Sequence, residues 1–294
     1  MGLLRSELYR AFHRRWTYIA FALGLLIAVS GYIGIQVGDL PYSHISHEYN
    51  AWYVFLQVFG MNLNSIWGIA VPLFAALPFG DTLIYDLNHG FEVPLMMRVG
   101  MKKYFFSKWL ANIIVVACVS CAVLSCSLIM ALLWRQDAVL PAVFPPQISD
   151  TIPLPPGIDP LSGVFASSYQ PHVLSSLFWA HPAVYSLIAI VIGVLVCISI
   201  GSITMVASLF FKKRYLVLAA PFIFYMVFNV AVQFLGLKLW VPFLMSAGFL
   251  NFKDSIWPTI FYWSPLILLS WITMYLGPSR YSKFKLALSN SNDQ

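Results

Sequence analysis

The sequence predicts an all-α polytopic membrane protein: six membrane-crossing helices, an N-terminal amphipathic surface helix and short outer half-helices between spans five and six. Three observations carry that expectation. Hydrophobic residues make up 60% of the 294 residues and charged residues only 10%, against about 25% charge in an ordinary soluble domain. Long runs carry no charge at all. The cations cluster on alternate connections between those runs.

A helix rises 1.5 Å per residue, so a hydrocarbon core of roughly 30 Å takes about 20 apolar residues to cross. Stretches 16–38, 109–134, 215–237 and 255–279 lack Asp, Glu, Lys and Arg. So does 49–80, whose apolar second half reads as span two despite Asn62 and Asn64 nearby. Between Asp159 and Lys212 the Leu/Ile/Val-rich part supplies span four. The spans are expected near 16–38, 56–78, 109–134, 183–210, 215–236 and 255–277, in one transmembrane domain covering 1–294.

Six crossings put both termini on one side. Fourteen of the 17 basic residues fall there, from Arg5 to Arg15, Arg98 to Lys108, Lys212 to Arg214 and Arg280 to Lys285. Only Arg135, Lys238 and Lys253 lie opposite. The positive-inside rule then makes both termini cytoplasmic in a cell membrane. The net charge of +6 needs no nucleic acid, because the cations flank spans and form no continuous stripe.

Before span one, residues 3–15 read as a surface helix. Leu4, Leu8, Ala11 and Phe12 share a face, Ser6, Tyr9, Arg10 and His13 lie opposite, and Arg14 and Arg15 reach the headgroups. Residues 16–38 are too long for a cleaved signal, so span one is expected to be retained. Met1 to Ser6 formally fits an acylation pattern, read as chance.

The first outer loop holds His44, His47 and Glu48, half of a metal site by composition, but a solvated polar loop is favoured. Segment 79–108 carries acids first (Asp81, Asp86, Glu92), then Gly90 as a break, then bases (Arg98, Lys102, Lys103, Lys108). A short helix on either side of Gly90 is expected, suited to docking on a protein surface. Loop 135–175 is proline-rich and irregular, and 238–254, with Trp240, Pro242 and Gly248, reads as short half-inserted helices. The tail beyond Gly277 is read as short, basic and disordered at its end. Cys118 and Cys121 mimic a redox pair but lie within a span, where small residues that let helices pack closely are the simpler reading.

Catalytic patterns are missing: no Gly-x-Ser-x-Gly, no His-Glu-x-x-His and no phosphate loop. No charged residue lies deep inside a predicted span, which argues against a proton relay and points to an external energy source.

Two stretches resemble a known family. LLRSELYRAFHRRWTYIAFALGLLIA looks like a basic amphipathic connecting helix leading into span one. PLFAALPFGDTLIYDLNHGFEVPLMMRVGMKKYFFSKWLAN looks like the span two to span three junction. Together they resemble the permease subunits of bacterial ABC transporters of the second export type. The resemblance implies an export permease, not an enzyme, paired with a second permease chain, identical or not. It also implies a separate ATP-binding subunit, with ATP and Mg held by that partner and no cofactor on this chain. Asp81, Asp86, Gly90, Glu92, Arg98, Lys102 and Lys103 would form the ATPase-coupling region. Leu4, Leu8, Arg10, Phe12, Arg14 and Arg15 of the surface helix would add a second contact. A hydrophobic or amphipathic substrate, such as an antimicrobial peptide, is the expected cargo, with no substrate-binding residue assigned. The long proline-rich loop departs from the family pattern and puts a simple open exit in doubt. The alternatives are an ATPase-independent sensor, scaffold or immunity protein, and a membrane-embedded enzyme using His44, His47 and Glu48, or Asp86 with His89.

Overall fold

A computed structural model describes residues 2–37, 51–56, 58, 66–89, 92–134, 174–211, 213–237 and 257–292. Among these the chain is helical and has no strand. Eleven helices follow in order: α1 (Gly2–Phe12), α2 (Arg15–Val37), α3 (Ala51–Leu56), α4 (Ile66–Ala76), α5 (Thr82–His89), α6 (Glu92–Val99), α7 (Met101–Trp134), α8 (Ser175–Ala180), α9 (Pro182–Phe210), α10 (Arg214–Phe234) and α11 (Trp257–Asn292).

Five of them have the length and composition to cross a membrane: Arg15–Ile33, Met101–Leu133, Pro182–Phe210, Arg214–Phe234 and Trp257–Leu276. Their outer faces carry exposed Leu26, Leu133, Val191, Val227 and Phe261, side chains that lipid accepts and water does not. The multi-pass character expected from the uncharged runs is therefore present.

Of the stretch expected as span two, α3 and α4 are described; α4, with 11 residues, is roughly 16 Å long. Pro78 follows Leu77 and disfavours helical backbone before it, so the chain turns over Leu77–Asp81 and restarts as α5. Most of 57–65 lies outside the described residues, as do most of the expected outer loop 39–52, most of the proline-rich loop 135–175 and the half-helix segment 238–254. Two span ends also move. α7 begins at Met101, not near 109, so Lys102, Lys103 and Lys108 stand on its first turns. α11 continues to Asn292, where a disordered tail was expected; Lys283, Lys285, Leu286, Ala287 and Leu288 are all good helix formers.

α9 is the hub, packing against α3, α4, α5, α7, α8, α10 and α11. With only lipid outside, association rests on close packing and interhelical hydrogen bonds. Tyr32 donates to the Ser127 carbonyl at 2.7 Å, tying α2 to α7. Asn112 Nδ2 donates to the Gly201 carbonyl at 3.2 Å, tying α7 to α9. Trp109 Nε1 donates to Ser270 Oγ at 2.9 Å, tying α7 to α11. The cysteine pair does not serve packing: Cys118 and Cys121 are exposed, because the buried stripe of α7 runs through Ala111, Val115, Val119 and Val123. The small buried cysteine is Cys197 of α9.

Close approach is set by Gly24, where an added Cβ would stand 2.7 Å from Val123 Cγ2 and 2.8 Å from Phe74 Cε2. Gly24→Ala should therefore destabilise the bundle by about 1–3 kcal/mol, the usual cost of overpacking. Thermal unfolding in detergent checks this, and Val123→Ala in the same chain should recover part of the loss.

Candidate functional site

One end of the bundle gathers charge from six places: α1, the α1–α2 corner, the turn into α5, α5 itself, and the first turns of α7 and α10. α1 packs on α7 with Leu4 and Leu8 partly buried and Ala11 fully so. Glu7 shares that face and is 3% exposed, whereas Phe12 stays exposed. The helix thus lays a carboxylate, along with apolar side chains, against its own bundle. Arg10, expected to face away, turns inward.

Lys108 of α7 is fully buried, its Nζ 2.7 Å from Glu7 Oε2 and 2.6 Å from Asp86 Oδ2. Arg10 Nη2 donates to both Asp86 oxygens, at 3.0 and 2.8 Å, and Tyr104 OH donates to Asp86 Oδ2 at 2.9 Å. The rings of Phe79 and Tyr104 stand 5.5 and 5.7 Å from the ammonium, close enough for cation–π attraction. This inner cluster balances two carboxylates against two cations. Burial alone would raise the Asp86 pKa, but Lys108 and Arg10 outweigh it and hold the carboxyl below its ordinary value.

Next to it lies a second, unbalanced group. Arg14 Nη1 donates to Asp81 Oδ1 at 3.0 Å, and Arg214 Nε pairs with Asp81 Oδ2. Thr17 Oγ1 lies 2.7 Å from the Ala11 carbonyl and 3.2 Å from that of Pro78, pinning the α1–α2 corner to the turn before Asp81. Arg214 also stacks on Trp16, 5.3 Å from ring centroid to Cζ.

Of the residues singled out in sequence, Asp81, Asp86, Arg10 and Arg14 come together here, with both carboxylates buried against the chain's own cations. Arg98, Lys102 and Lys103 are exposed at the α6–α7 junction, and Lys102 Nζ sits 4.6 Å from the Tyr275 ring centroid. Arg15 is exposed. Glu92 opens α6, while Gly90, His44, His47 and Glu48 lie outside the described residues. Sequence reading missed Glu7, Tyr104, Lys108 and Arg214 as partners. Glu7 was findable: it lies three residues after Leu4 and four before Ala11, an acid on an apolar stripe that demands a buried cation.

A second feature is a cavity of about 130 Å³ among α9, α10 and α11, lined by Ile200, Pro221, Phe224, Phe228, Tyr262 and Trp263 among others. It is the size of an apolar cavity that stays dry and takes benzene.

Breaking a buried pair leaves an uncompensated charge and costs about 3–5 kcal/mol. Lys108→Met should lose that much in thermal or denaturant unfolding. Adding Glu7→Leu should restore part of it, since Asp86 keeps Arg10 and Tyr104. The depressed Asp86 pKa also sets a sign. Its contribution is complete above the ordinary carboxylate pKa near 4 and is lost as pH falls through the lower folded value. The melting temperature should drop below about pH 4, with a shallower acid-side slope in Asp86→Asn.

No family model, no curated protein and no solved structure matches this chain.

Proposed function

We propose that this chain is the membrane-spanning permease subunit of an ATP-driven ABC exporter of the second export type, with ATP hydrolysis in a separate partner. The observation that carries the reading is the α5–α6 pair, set between membrane-crossing elements and two-faced. Asp81, Leu83, Ile84 and Asp86 are buried in the bundle, while Tyr85, Met97 and Arg98 face outward, Met97 with 83% of its surface exposed. An unattached loop cannot transmit force. This one is fixed to α1 and α7 through Asp86 and to the α1–α2 corner and α10 through Asp81.

In this reading two permease chains, identical or not, rest on two ATP-binding subunits that hold ATP and Mg. The ATPase surface meets the exposed side of α5–α6 and the cations Arg98, Lys102 and Lys103. Asp81 and Asp86 act from inside, as the anchors that turn displacement of α5 into rigid-body motion of α7 and α10. Both termini lie in the cytoplasm of a cell with this protein in its membrane, and a sixth crossing runs through the α3–α4 region. The cargo is hydrophobic or amphipathic, an antimicrobial peptide fitting that description, and the apolar cavity offers a place for one of its side chains.

The test is affinity purification of the tagged chain in mild detergent from its native host, with mass spectrometry of what comes with it. A stoichiometric ATP-binding subunit should accompany the wild type. Met97→Asp combined with Arg98→Glu should reduce its recovery tenfold or more while leaving the melting temperature unchanged, because neither side chain is buried. If no ATPase accompanies the wild type, the sensor or scaffold reading replaces this one.

A further inference from the structure

The unbalanced group at Asp81 carries more positive charge than its one carboxylate answers. Arg14 and Arg214 both pair with it. Among the described residues no other acid lies within ion-pair distance of either guanidinium. Arg214 makes its approach to Asp81 through Nε. The side chain is 40% exposed.

Its position along the chain matters as much. Arg214 is the first residue of the crossing Arg214–Phe234, and Arg15 is the first of Arg15–Ile33. In a bilayer crossed by these two helices, both would stand near the level where hydrocarbon gives way to headgroups. The neighbours are those of an interface: Trp16, under the Arg214 guanidinium, and exposed Tyr18 and Tyr215, the latter 5.8 Å from Lys213 Nζ. Aromatic rings at this level mark headgroup depth. A guanidinium fork matches two phosphate oxygens.

We propose that Arg214, with Lys213 adjacent in the chain, Trp16 beneath it and Arg15 next to Trp16 in the chain, binds the phosphate of an anionic phospholipid in the leaflet facing α1 and α5. The proposal depends on the membrane-crossing helices and not on the transport reading. Asp81 sets the strength of the site: it neutralises part of the charge that would otherwise face the lipid.

That role gives opposite signs to two substitutions that break the same ion pair. Arg214→Gln removes the ligand and should weaken phosphatidylglycerol binding about fivefold, the effect of one charge near an anionic surface. Asp81→Asn removes the competing anion and should tighten it by a similar factor. Lys213→Gln leaves the Asp81 pairs intact and should weaken binding too, which keeps the test decisive if Asp81→Asn folds poorly. The measurement uses the full chain in detergent micelles titrated with phosphatidylglycerol, phosphatidylcholine or inorganic phosphate. Native mass spectrometry counts the retained lipid. Preference for phosphatidylglycerol, weakening in Arg214→Gln and Lys213→Gln and tightening in Asp81→Asn are expected. The proposal falls if Arg214→Gln and Asp81→Asn shift binding in the same direction, if Lys213→Gln is silent, or if inorganic phosphate displaces the lipid, which would assign the site to a soluble anion.

Discussion

An ammonium buried without a partner costs several kcal/mol, and Lys108 sits with none of its surface exposed. That one fact organises the end of the molecule. Lys108 requires carboxylates, and two arrive from different helices, Glu7 on α1 and Asp86 on α5. Asp86 then needs more than Lys108, and Arg10 and Tyr104 supply it. Glu7 and Arg10, one helical turn apart, hold α1 to the bundle at two points. An N-terminal helix free to float on a membrane surface would satisfy none of these charges.

The same network separates two kinds of work within segment 79–108. Asp81 and Asp86 are consumed inside, and the exposed cations Arg98, Lys102 and Lys103 remain available outside. A charged loop read from sequence looks like a single docking surface, because sequence gives sign without direction. Here direction is set by the turn at Leu77–Asp81, which aims Asp81 toward Arg14 and Arg214.

Much of the fold was legible because lipid leaves few options: an uncharged run of twenty residues must be a helix. α2, α9 and α10 begin and end within a few residues of their expected bounds. What stayed hidden was hidden for physical reasons. The start of α7 was misplaced because Lys102, Lys103 and Lys108 ended the apolar run, yet lysine is a good helix former and the helix continues through it. Arg214 looked like one of three interchangeable flanking bases, since its pairing with Asp81 joins residues 133 positions apart along the chain. Glu7 alone announced its burial, by standing among Leu4, Leu8 and Ala11.

The order in which the charged partners appear during synthesis has a consequence of its own. A chain made from its N-terminus presents Glu7 and Arg10 first, then Asp81 and Asp86, then Lys108, and Arg214 only after more than a hundred further residues. The inner cluster can close as soon as α7 has emerged. Asp81 must hold to Arg14 until α10 is inserted, and Arg214 then completes the pair. A chain whose α10 crossed in the opposite orientation would carry Arg214 away from Asp81 and leave that buried carboxylate to Arg14 alone.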